Sequence, residues 1–149
     1  MIGYDHLYVE FLYYFNVERD YYECHEVMEE LWLEEGRNPL YQGLLQIAVG
    51  LYHHRNGNVS GAIKLLEQGI DKLEFFPRQT MGIDLGRLVD DAKEYLAGLE
   101  NDDKEPFAFR PLDIAIVHSE LAAMVEQMKQ FPPEPSGSRG EISEDPADD

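Results

Sequence analysis

The chain reads as an all-α protein, a compact multi-helix bundle of about six helices, and three observations predict it. Apolar residues recur at the spacing of one helix face in segment after segment, and no strand alternation competes with them. Helix caps and breakers fall between those segments, most clearly in "GRNPLYQG", where Gly36 ends one helix, Asn38 caps the next and Pro39 sits at its first position. Finally, Leu40 to His54 contains no Lys, Arg, Asp or Glu, in a chain with 28% charged residues. A helix that is apolar nearly all round lies at the centre of a fold.

In chain order, the first helix is expected at about Tyr4–Phe15 and the second at about Asp20–Glu35. The central third helix runs from Pro39 to about Asn56 and closes at "NGN". The fourth occupies about Val59–Phe76 and stops before Pro77, and the fifth starts from the cap Asp84 and reaches about Leu99. A loop, "ENDDKEPFAFRP", precedes a sixth helix at Leu112–Phe131, whose apolar stripe includes Ile114, His118, Leu121 and Val125. Residues 1–131 form a single helical domain. Beyond "FPPEP" the composition turns to Pro, Gly, Ser and acids, so 132–149 is expected as a disordered acidic tail.

The net charge of −18, from 30 acids against 12 bases, excludes partner classes. Phosphate backbones and anionic membrane surfaces are recognised by clustered Lys and Arg, so the expectation is no nucleic acid and no membrane partner. No apolar run approaches the eighteen residues or more of a membrane span. An acid-rich, lysine-poor surface is best relieved where salt screens it, which reads as haloadaptation, with a cationic partner as the alternative. A single cysteine, Cys24, and no visible secretory signal point to a reducing, cytoplasmic setting.

Chemistry concentrates in "YECHEVMEELW", Tyr22 to Trp32. On a helical wheel Tyr21, Cys24, Val27, Met28, Leu31 and Trp32 make the core face, while Glu23, Glu26 and Glu30 make a solvated one. His25 and Glu29 stand at the border, about 40° apart because i and i+4 stack. An imidazole and a carboxylate so placed can share a divalent metal or act as an oriented base pair. The pattern is similar to the zincin H-E-x-x-H, with Glu29 in place of the second histidine and Glu26 in the position of the base. On the third helix Gln42, Gln46 and His53 form the one long polar stripe, beside Gly43 and Gly50, where a neighbouring helix can approach closely. The structural alternative is a packing network in which His25 and Glu29 hydrogen-bond that stripe. Cys24 belongs to the core face and reads as a buried thiol. The stretch around Gly50, Gly57, Ala62 and Leu66 is similar to one tetratricopeptide hairpin, with no second copy 34 residues on.

Together "FNVERDYYECHEVMEELW", "NPLYQGLLQIAVGLYHHRNGN" and "GAIKLLEQG" resemble the domain-of-unknown-function family 309. The matching positions are Asn16, His25, Glu26, Glu29, Trp32, Gln42, Gly43, Gln46, His54, Gly57 and Asn58. Cys24 stands where the family pattern leads one to expect a small residue. The resemblance implies a small all-helical prokaryotic bundle with no established activity, its second and third helices adjacent. The site it suggests is a cleft between those helices. There His25 and Glu29 hold a metal or small ligand, His54 adds a ligand, Gln42 and Gln46 orient it, and Trp32 lines it. The competing expectation is a non-enzymatic interaction module acting through a homo-oligomer or a protein partner.

Overall fold

Local capping sets the helix starts in the computed structural model, which describes residues 3–135 and Ile142. α1 (His6–Tyr13) begins where the Asp5 carboxylate accepts from Leu7 N–H at 2.9 Å. It continues as a π-helical turn, Tyr14–Glu18, which ends on Arg19 in the left-handed region at φ 55°. Asp20 caps α2 (Tyr21–Glu34), Asn38 caps α3 (Pro39–Arg55), Asn58 caps α4 (Val59–Leu73) and Asp84 caps α5 (Leu85–Glu100). Each of these side chains takes up a backbone N–H that the first turn leaves unpaired. Gly36 and Gly57 follow α2 and α3 at φ 69° and 84°, where a Cβ would be strained.

α3 is the axis. Leu44, Leu45, Ile47, Ala48, Val49 and Leu51 are all fully buried, and burying one such side chain contributes about 1.5–3 kcal/mol. α4 packs against α3 through glycines. A Cβ on Gly43 would fall 2.7 Å from Leu73 Cδ2, one on Gly50 2.9 Å from Leu66 Cγ, and one on Gly69 3.0 Å from the Gly43 carbonyl oxygen. On the other side the rings of Tyr22 and Tyr52 lie 6.4 Å apart, which places α2 antiparallel to α3. α1 lies across α2, and α6 (Ser119–Gln130) covers α1.

Two features depart from the sequence expectation. Between α4 and α5 a two-residue hairpin pairs Gln79–Thr80 (β1) with Ile83–Asp84 (β2), turning on Met81 and Gly82 at φ 50° and 80°. Two successive left-handed residues match the twist of a tight hairpin. Met81 holds its place because its carbonyl accepts from Tyr8 Oη at 3.0 Å and its Sδ from Tyr41 Oη at 3.4 Å.

The sixth helix, expected from Leu112, begins only at Ser119. Residues 112–118 stay extended because their backbone is used elsewhere. Ile114 exchanges two hydrogen bonds with the Asn16 side chain, at 2.8 and 2.9 Å, and Asp84 N–H donates to the Ala115 carbonyl at 2.8 Å. Ile116 bridges to Ile83. His118 therefore leaves the expected helix stripe. It occupies the α6 cap position, its Nδ1 2.6 Å from Tyr4 Oη.

No helix among the described residues is long and apolar enough to cross a membrane. Of the expected tail, only 132–135 and Ile142 fall within the described residues, and Ile142 is buried in the hydrophobic core.

Candidate functional site

The polar residues of α2 separate into buried and accessible sets, differently from the wheel. Glu23, expected on the solvated face, is 2% exposed, because α1 and its π-turn pack across that side. Its carboxylate lies in the electrostatic neighbourhood of Tyr14, whose phenol is pushed well up, first by burial and then by Glu23 and Glu10. Glu26 is half-buried and Glu30 exposed. Cys24 is fully buried beside the Phe11 carbonyl, and burial pushes its thiol up, so it is a core thiol.

His25 stays half-buried at the helix border, as its position predicted. Its Nε2 is 3.6 Å from Glu29 and its Nδ1 3.9 Å from Glu26, so its nearest polar partners belong to its own helix. Both distances exceed a hydrogen bond. The buried Nδ1 has no hydrogen-bond partner in the protein. The cross-helix packing bond that the structural alternative required of His25 is not made.

Trp32 and Gln46 are in the same condition. Trp32 is 2% exposed and Gln46 4%. The indole Nε1 is unpartnered, with the Arg37 guanidinium 5.0 Å from its ring. Gln46 donates through Nε2 to Gln68 on α4 at 3.0 Å, and its Oε1 is unpartnered. Gln42 is buried on the same stripe of α3. The Tyr22–Tyr52 contact sets the axial register. Trp32 lies ten residues beyond Tyr22, and Gln42 ten residues before Tyr52, about 15 Å of helix in each case, so they come level. Gln46 falls at a height between His25 and Trp32.

His54 goes elsewhere. Its Nε2 is 3.0 Å from the Phe107 carbonyl, which can only accept, so Nε2 carries the proton and Nδ1 accepts from Tyr95 Oη at 2.5 Å. The imidazole stacks on Phe107, centroids 5.8 Å apart. Both ring nitrogens are thus committed to α5 and to the segment after it. Among the described residues no three His, Cys, Asp or Glu side chains stand where they could hold a metal ion together. His25, Glu29 and His54 are not brought into one ligand set. Any ion on α2 would depend on His25 and Glu29, with its remaining donors coming from a ligand or solvent.

The partners Gln68, Tyr95 and Phe107 were not singled out from the sequence. Tyr95 and Phe107 flank a loop, and only the fold shows that they close over the third helix. Gln68 could have been found, since it lies opposite the glycines that bring α4 against α3.

Known proteins place this region but assign it no activity. A family model described as "Domain of unknown function (DUF309)" matches residues 8–65. The uncharacterized protein YpuF of Bacillus subtilis (strain 168) is 40% identical over 92 residues, covering 58% of this chain and 53% of its own length. An uncharacterized protein of Aquifex aeolicus (strain VF5) is 29% identical over 72 residues, covering 46% of this chain and 22% of its own. The chain thus spans about half the length, or less, of these curated relatives. No solved structure gives a significant match. Residues 8–65, from α1 to the middle of α4 and including His25, Glu29, Trp32, Gln46 and His54, are thus what this chain shares with the domain-of-unknown-function family 309.

Proposed function

We propose that this protein binds a small polar ligand along the seam beside α2, recognised by His25, Trp32 and Gln46, with Glu29 supporting His25 and Gln42 extending the polar stripe. One contrast carries the reading. Other signature polar residues find their partners inside the fold: Asn16 on Ile114, His54 on Tyr95 and Phe107, Asn58 on Gly61. Three of those selected as site residues leave a buried polar atom unpaired, namely His25 Nδ1, Trp32 Nε1 and Gln46 Oε1. An unpaired buried group costs about 1–3 kcal/mol, so its retention calls for a partner. A metal can take part through His25 and Glu29 only if the ligand completes its coordination, and the Glu26 carboxylate stands 3.9 Å from His25 Nδ1 on the same helix.

The test is native mass spectrometry with elemental analysis on untagged protein as purified, wild type beside His25→Ala and Gln46→Leu. A co-purifying mass or near-stoichiometric metal in the wild type, lost in both variants while melting is little changed, supports the reading. No added mass and no metal in any sample, with His25→Ala markedly less stable, refutes it and leaves the residues as packing groups. A role as a protein-interaction module rests on a different observation, the exposure of Phe75 and Phe131 at 89% and 73%.

A further inference from the structure

Between α1 and α6 lies a groove of about 290 Å³, lined by His6, Val9, Met124, Gln127, Met128 and Phe131. Its composition is unusual for this chain. Thirty of 149 residues are acidic, yet no carboxylate lines the groove. Two methionines and a largely exposed phenylalanine give it an apolar, deformable wall, suited to receive side chains of varied shape. The acids nearest it in sequence on the same two helices are Glu10, held to His6 at 3.0 Å, and Glu120, one turn before Met124, with Glu134 three residues beyond Phe131. The only base on these helices, Lys129, is paired with Glu126 at 3.0 Å.

We propose that this groove is a docking site for a basic amphipathic helix of a partner protein, its apolar residues entering between Met124, Met128 and Phe131 and its Lys or Arg side chains meeting the acidic rim. Charge complementarity selects this occupant over the two nearest alternatives. A second copy of the chain would bring another −18 charges to the interface. The chain's own segment 132–149 carries six acids and one base, the wrong sign for that rim, and its Ile142 is already buried in the hydrophobic core. An apolar groove inside an acidic rim is complementary to a helix with apolar residues at i, i+3, i+4 and i+7 and cationic flanks. The site is separate from the α2 seam, so the proposal stands or falls independently of the ligand there.

The test uses full-length protein and a fluorescein-labelled 18-residue peptide of leucines at helical spacing with lysines elsewhere, beside the same peptide with glutamates for lysines. Fluorescence anisotropy in about 0.1 M salt should show saturable binding of the lysine peptide and none of the glutamate peptide. Phe131→Ser and Met124→Gln, with unchanged far-ultraviolet circular dichroism, should each weaken it about tenfold or more, as loss of an apolar anchor does. Three results overturn the proposal. One is an absence of binding by the wild type. Another is equal binding by wild type and both variants, which is general attraction to an acidic surface. The third is a set of nuclear Overhauser contacts from the Met124 or Met128 methyls to Ile142, or to a second copy, before peptide is added.

Discussion

His54 offers the most direct test of how the family signature works, because both of its ring nitrogens are accounted for. His54→Phe keeps the ring stacked on Phe107 but leaves the Phe107 carbonyl and the Tyr95 hydroxyl proton without partners. Each loss in a buried site costs about 1–3 kcal/mol, and Tyr95 retains only the 3.4 Å bond it accepts from Arg110 N–H. A total near 2–4 kcal/mol follows, allowing for the partial exposure of the segment. His54→Ala removes the ring as well and adds about 1–2 kcal/mol for the void it leaves among Tyr95, Phe107 and Phe109. Against a total stability of about 5–15 kcal/mol these are large fractions. Equilibrium urea unfolding followed by tryptophan fluorescence would read them, since Trp32 is the single buried indole. At a slope of about 1–3 kcal/mol per molar urea, His54→Phe should lower the midpoint by about 1 M or more. A change below about 0.5 kcal/mol would refute the bracing argument, and one accompanied by loss of bound metal would reinstate His54 as a ligand.

The remaining predictions concern the extended segment, the helix packing and the titration of α1. Asn16→Ala should free both polar groups of Ile114 and raise hydrogen exchange across 112–117 before the rest of the fold opens, as mass-resolved exchange would show. Gly69→Ala improves helix propensity by about 1 kcal/mol, yet its Cβ meets a backbone oxygen at 3.0 Å, so the thermal midpoint should fall rather than rise. Burial raises the Glu10 carboxyl above its ordinary range, with His6 pulling the other way and Glu30 and Glu23 adding to the rise. The protonated form is therefore the one the fold favours, and the wild type loses stability as pH climbs through that raised value. Glu10→Gln should melt higher than wild type near pH 8, with the gap closing towards pH 4, and an unchanged or widening gap at low pH would contradict the assignment.

Five helices were legible because their starts are written in short polar caps and their ends in glycine, asparagine or proline. Asp20, Asn38, Asn58 and Asp84 each act locally, so a reading of neighbours suffices. The misplaced start of α6 shows the opposite case. Leu112, Asp113 and Ile114 alternate buried and exposed, a period-two signal that helical spacing at Ile114, Leu121 and Val125 masked. What decides the matter is Asn16, 98 residues away. Glu23 was misjudged for a related reason, since a wheel reports one core direction while α2 is covered on two sides. At the site, residue type and spacing singled out His25 and Glu29 and the polar stripe with Gln46, and the family resemblance added Trp32, but which polar atoms are paired depends on partners such as Gln68 and Tyr95, whose approach only packing reveals.

The brace formed by Asn16 and His54 has a consequence for where a folding unit begins and ends. Both residues lie inside the family segment 8–65, while the groups they hold, Ile114, Tyr95 and Phe107, all lie downstream of it. Those contacts close loops of 98, 41 and 53 residues, so they can form only after most of the chain has been synthesised. The boundary of the matched family model thus cuts through these tertiary contacts. A fragment limited to 8–65 would leave the Asn16 side-chain amide and the His54 imidazole without the groups they hold in the whole chain.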